Sequence, residues 1–166
     1  FRSFEDRRVT FDERNRRVNL AANGLARLGV GGGAGVAIMM GNSPEWLYVY
    51  FATQELGAYA VPVNVSLIGE GLRYVIDHSD SVVVVVDPAR ADAVLAVSDG
   101  TPKVTDVVVD TTEAPEGWTC PEGWSTLAEL MDAPDTEPDA TIDPEAISAI
   151  MYTSGTTGAP KGVVTR

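Results

Sequence analysis

The residues best equipped for chemistry lie in one run: Met151-Tyr152-Thr153-Ser154-Gly155-Thr156-Thr157-Gly158-Ala159-Pro160-Lys161-Gly162-Val163-Val164-Thr165. Glycine lets backbone N–H groups turn inward and approach an anion, and successive inward N–H groups form an anion-binding nest. The hydroxyls of Thr153, Ser154, Thr156 and Thr157 add donors. Lys161 adds a mobile positive point charge. The combination suits phosphate. Apolar, β-branched flanks predict strand, loop, strand over 151–165.

The run is not a Walker A loop, which needs G-x-x-x-x-G-K-[ST] opening a helix. Its glycines are three apart, Pro160 precedes Lys161, and Gly162-Val163-Val164-Thr165 favours a strand. Some Gly and Thr before a Lys would by itself be an ordinary hairpin loop. The string S-G-T-T-G-x-P-K-G is sharper, because it fixes eight positions. Chance agreement is on the order of one in a billion per start site.

Such a loop needs a scaffold, and 166 residues suffice for one domain with a core. The chain is 45% hydrophobic and 22% charged, a globular mixture. Its longest apolar run, Trp46 to Ala52, is far short of the ~20 residues of a spanning helix. The opening residues are charged and carry no secretory pattern. Cys120 is the sole cysteine, so no disulfide forms within the chain, which suits a reducing cytoplasm. The net charge of −12 argues against nucleic acid as a partner. Seven of the twelve basic residues fall between Arg2 and Arg27, and none between Val104 and Pro160. A polyanion such as ATP would need a local positive site, and Lys161 provides one.

Strands and helices alternate along the chain. Thr10 caps a first helix, with Glu13 completing a T-x-x-E capping box and Gly29 ending it. Its arginines are read as a solvated face. Gly29-x-Gly31-x-x-Ala34 formally fits a dinucleotide fingerprint but follows a helix and enters a strand, the reverse of the required context. It reads as a connecting loop before a strand over 36–40. Ser43 and Pro44 open a second helix that stops at Gly57; its aromatics read as core. A strand over 58–63 leads to a helix over 69–78. That helix ends at His78, the only histidine, read as a polar cap because no partner constellation surrounds it. Val82 to Val86 is a continuous β-branched run suited to a parallel sheet covered on both faces. A helix over 88–97 and a strand over 104–109 follow. Residues 110–144 are acidic and Pro-rich, and read as a surface excursion and partial linker with a short helix over 125–131. A strand over 147–152 delivers the loop. The fold class is α/β, an open, mostly parallel sheet with helices on both faces.

The loop string resembles the phosphate-loop signature of the adenylate-forming enzymes: acyl-CoA synthetases, luciferases and peptide-synthetase adenylation domains. Asn42-Ser43-Pro44-Glu45-Trp46 and Leu56 to Asn64 look like the family's early N-terminal pattern, and Thr10 to Val30 like its first helix. Asn64 after Val61-Pro62-Val63, and Leu67-x-Gly69-Glu70-x-Leu72, lean toward acyl-CoA synthetases. The resemblance implies that the chain is the first part of the large N-terminal domain. It also implies that Thr153, Ser154, Gly155, Thr156, Thr157, Gly158 and Lys161 hold the ATP β- and γ-phosphates, with Thr153 near Mg²⁺.

By the same resemblance, the whole enzyme would join a carboxylic acid to ATP as an acyl-adenylate, release pyrophosphate, and pass the acyl group to coenzyme A. Segments for adenine, the magnesium-ligating glutamate, ribose and a catalytic lysine of a mobile C-terminal domain are not within these residues. The chain is therefore expected to carry no catalytic residue, to be inactive alone, and to self-associate through exposed apolar surface. The alternatives are an adenylation domain loading a carrier protein, and a truncated, non-catalytic binding module.

Overall fold

The structure, a computed structural model, describes residues 2–4, 7–153 and 160–166. Strands β1 (Arg2–Phe4) and β2 (Arg7–Val9) form an antiparallel hairpin. The main body then runs α1 (Phe11–Arg27), β3 (Gly35–Met39), α2 (Pro44–Glu55), β4 (Tyr59–Pro62), α3 (Gly69–His78) and β5 (Ser81–Val86). It continues with a 3₁₀ turn (Pro88–Arg90), α4 (Ala91–Leu95), a second 3₁₀ turn (Ser98–Gly100) and β6 (Asp106–Val109). Last come β7 (Ser125–Thr126), α5 (Leu127–Leu130), β8 (Ala149–Thr153) and β9 (Lys161–Thr165).

The seven-stranded sheet has the order β7-β6-β5-β3-β4-β8-β9. Every neighbouring pair is parallel except β8 with β9. The α/β class read from the sequence is the fold observed. The connection from β3 to β4 carries α2 on one face. The next, from β4 back across β3 to β5, carries α3 on the other, as same-handed crossovers require when the direction reverses.

Side-chain alternation along each strand feeds two cores. Val36, Ile38, Val83, Val85 and Val108 meet α1, α2 and α5 through Val18, Leu25, Val49, Ala52, Leu127 and Leu130. Ala37, Met39, Val84, Val86 and Val109 meet α3 and α4 through Leu72, Val75, Ile76 and Val94. This is why residues 82–86 of β5 are all valine: both faces are covered, and each buried valine contributes about 1.5–3 kcal/mol.

Helix ends follow the chemistry of their caps. Thr10 Oγ1 accepts the Glu13 N–H at 3.1 Å, and Ser43 Oγ accepts the Trp46 N–H at 3.0 Å. Of the box expected at Thr10, this backbone half is what forms; the reciprocal box closes at Thr126 and Glu129. Both α1 and α2 end in the same way. Gly29 (φ 82°) and Gly57 (φ 63°) take the left-handed conformation, and Val30 and Ala58 N–H groups reach back to Leu25 and Thr53 carbonyls at 3.1 and 2.9 Å.

Three segments differ from expectation. The helix expected over 88–97 is a 3₁₀ turn followed by a single short helix. Residues 125–126 form an edge strand on β6 before the helix begins. Much of 110–144 is tied down: Trp118, Cys120 and Trp124 pack against the second core. Asn19 and Asn23 of α1 donate to the carbonyls of Pro134, Asp135 and Thr136 at 2.8–2.9 Å. Arg27, expected in solvent, donates to the carbonyls of Leu130 and Asp132, both at 2.8 Å, and so caps α5.

Candidate phosphate site

Strands β8 and β9 form an antiparallel hairpin with Ala149 opposite Thr165, Tyr152 opposite Gly162 and Thr153 opposite Lys161. The strand–loop–strand reading of 151–165 is observed in its strands. Thr153 and Lys161 are exposed and face each other at the base of the loop, and Pro160 is half-buried. Ser154, Gly155, Thr156, Thr157 and Gly158 lie outside the described residues. Thr153 and Lys161 thus bracket the loop with one hydroxyl and one ammonium at the carboxyl end of β8.

The root of the hairpin is fixed. The Ser148 carbonyl accepts both Ala60 N–H and Gln54 Nε2–H at 3.0 Å, and Ser148 N–H donates to the Thr165 carbonyl at 2.8 Å. Farther along, Gly162 leaves room for its neighbours. A Cβ there would lie 2.9 Å from Ile150 and 3.4 Å from the Tyr152 ring. The missing side chain lets both residues cover the β9 backbone.

Tyr152 reaches α3. Its hydroxyl and His78 Nδ1 share a hydrogen bond of 2.8 Å. His78 stacks on Tyr74 with centroids 4.8 Å apart, and Tyr152 stands edge-on to both rings. Burial, then neighbouring Tyr74, Tyr59 and Asp80, push the Tyr152 pKa up to about 12, so the phenol keeps its proton. No partner for His78 was legible beforehand, because Tyr152 lies 74 positions away and no local pattern marks the pair.

The carboxyl ends of β3, β5 and β6 hold a separate polar pocket of about 110 Å³, lined in part by Gly41, Ser43, Glu45, Asp87, Arg90 and Asp110. Asp87 Oδ2 accepts Gly41 N–H and Arg90 Nη1–H, both at 2.9 Å. Asp110 accepts the Thr112 N–H and hydroxyl at 3.1 and 2.6 Å; burial, opposed by these bonds, raises its pKa. A larger crevice of about 640 Å³ adjoins it, between α1, α2 and α5, with Arg17, Tyr48, Leu127 and Met131 in its walls. Neither includes the hairpin. Among the described residues, no group of three or more His, Cys, Asp or Glu side chains could hold a metal ion. The half-buried Cys120 has its pKa raised, by burial first and by Glu129 second.

The model of the AMP-binding enzyme family matches residues 1–166. The chain belongs to that family. It is 36% identical over 163 residues to the long-chain-fatty-acid–CoA ligase FadD13 of Mycobacterium tuberculosis, covering 96% of this chain and 30% of that protein. It is 34% identical to a long-chain-fatty-acid–CoA ligase of Thermus thermophilus, covering 96% and 28%. It is also 34% identical to a 3-hydroxybenzoate–CoA ligase of an Aromatoleum species, covering 95% and 29%. Among solved structures, the anthranilate CoA ligase AuaEII bound to anthranoyl-AMP superposes with a TM-score of 0.87 at 28% identity, over 96% of this chain and 30% of that one. The N-terminal domain of FACL13 from M. tuberculosis superposes at 0.83 with 33% identity, over 96% and 38%. The chain therefore spans about three-tenths of the length of the curated relatives it matches. The relatives are acyl-CoA ligases, in line with the lean read from Asn64. In this fold Asn64 Oδ1 accepts the Ser66 N–H at 2.9 Å and turns the chain after β4. No helix among the described residues is long and apolar enough to cross a membrane.

Proposed function

We propose that this chain grips the ATP triphosphate in an enzyme that activates a carboxylic acid, fatty or otherwise, as its acyl-adenylate and then transfers the acyl group to coenzyme A. The carrying observation is the register of the hairpin: Thr153 and Lys161 stand opposite each other, both exposed, at the two ends of the Gly/Thr/Ser loop. A loop presented between two strands with open flanks can wrap an anion. A loop sealed into the core could not.

A carboxylate is a poor acyl donor because oxide is its leaving group. Attack of the carboxylate on the ATP α-phosphorus exchanges that leaving group for AMP and expels pyrophosphate. Charge builds on phosphate oxygens, so positioned N–H groups and a lysine supply the stabilisation. In this proposal the N–H and hydroxyl groups of Thr153, Ser154, Gly155, Thr156, Thr157 and Gly158 bind the β- and γ-phosphates. The Lys161 ammonium neutralises the pyrophosphate as it departs. Mg²⁺ would offset phosphate charge, with the Thr153 hydroxyl as one oxygen ligand. The thiol of coenzyme A then takes the acyl group and AMP leaves. A cytoplasmic setting and inactivity of residues 1–166 alone belong to the same proposal.

The test is carboxylic-acid-dependent exchange of pyrophosphate into ATP by the full-length protein. Lys161→Ala should lower kcat/KM for ATP by about tenfold or more, the scale of one lost charge-assisted contact. Unchanged exchange would remove the loop from the reaction. Product analysis with coenzyme A against a phosphopantetheinyl carrier separates the thiol acceptors.

A further inference from the structure

We propose that His78 is a positioning residue for the phosphate loop, acting through the Tyr152 hydroxyl; the inference rests on the reading of that loop given above. Tyr152 is the penultimate residue of β8, next to Thr153, so whatever holds its ring holds the strand end from which the loop departs. Toward β4 the pairing is Ala149 with Ala60, so at Tyr152 and Thr153 the ladder of β8 lies on the β9 side. Beyond that pairing and the β9 ladder, the end of β8 is held by the aromatic cluster on α3.

The cluster is a rigid support. His78 closes α3, and the turn after it is bonded from several sides. Tyr59 Oη donates to the Ser79 carbonyl at 2.8 Å. Ser79 Oγ donates to the Ile76 carbonyl at 3.0 Å and lies 2.8 Å from Ser81 Oγ. Asp80 takes a positive φ of 54°, and Lys103 donates to the Asp77 carbonyl at 3.1 Å and pairs with Asp80. Tyr74 stacks on the imidazole and fixes its plane. A hydroxyl can donate to a bare Nδ1 or accept from a protonated one, so the bond to Tyr152 survives in either state of the ring. Geometry and chemistry together describe a post on α3 with one hydrogen bond to a strand end whose ladder runs on the β9 side.

The experiment measures KM for ATP, kcat of acid-dependent pyrophosphate exchange and the melting temperature of the full-length protein. Tyr152→Phe removes one oxygen and keeps the ring; His78→Ala removes the post. Each should raise KM for ATP about fivefold, the scale of one hydrogen bond, with kcat changed by less than about twofold. The double variant should be no worse than either single one, because both remove the same bond. His78→Asn, whose amide lies near the Nδ1 position, should keep KM within about twofold of the unaltered protein. Unchanged KM in Tyr152→Phe, additive effects in the double variant, or a lowered melting temperature with KM intact would each overturn the proposal. Should His78→Ala fail to fold, Tyr152→Phe decides alone. Lys161→Ala run in parallel separates the two readings: if it has no effect, the loop assignment falls; if it impairs exchange while Tyr152→Phe does not, only the role of His78 falls.

Discussion

Glu55 lies at the end of α2 with its Oε2 buried and without a hydrogen-bond partner. Burial first, then the nearby Glu137, push its pKa up from 4.5 to about 7, against the opposing pull of Arg14. The folded protein thus keeps a proton that the unfolded chain releases. That preference stabilises the fold fully below about pH 4.5 and is lost as pH rises through 7. Melting temperature should therefore fall by a few degrees between pH 5 and pH 8, on the order of 1 kcal/mol once solvent screening is allowed for. Glu55→Gln should flatten that slope; an equally steep slope in the variant would clear Glu55 of the effect. At this scale the hairpin strands on either side of residues 154–159 were legible because their apolar, β-branched pattern resides in consecutive residues. The His78–Tyr152 bond was not, since neither residue is unusual in its own neighbourhood. Only packing brings them together.

Elements were legible where their ends are written locally. Thr10, Ser43-Pro44, Gly29 and Gly57 set the limits of α1 and α2, and β5 announced itself by an unbroken valine run. The order within 110–144 was hidden because distant partners impose it: α1 side chains grip its carbonyls, and its tryptophans enter a core built by other elements. Gly24 shows how tight that docking is. It lies buried on α1, and a Cβ there would run into the Leu130 carbonyl oxygen of α5. Replacing a helical glycine by alanine ordinarily stabilises by about 1 kcal/mol. Here Gly24→Ala should instead destabilise by about 1–3 kcal/mol, because α5 must shift off α1. Chemical denaturation measures the sign directly, and a stabilised variant would contradict the packing described.

As a whole, the molecule joins a well-covered sheet to an uncovered edge. Strand β9 closes the sheet on one side, and Met151, Val163 and Val164 stand exposed on the hairpin. Edge strands with apolar surface pair readily with other chains. Residues 1–166 prepared alone are expected to associate as concentration rises, despite a net charge of −12. Val163→Lys, which adds charge to the edge, should return them to monomers. Sedimentation across a concentration series decides the matter; a monomer throughout would refute the expectation.

Because β8 runs parallel to β4, its Thr153 end reaches the same rim of the sheet as the mouths beside Gly41, Asp87 and Asp110. Strand β9 runs the other way, so the backbone leaving Thr165 heads toward the opposite rim. An anion held between Thr153 and Lys161 would therefore share its rim with the pocket beside Gly41 and Asp87.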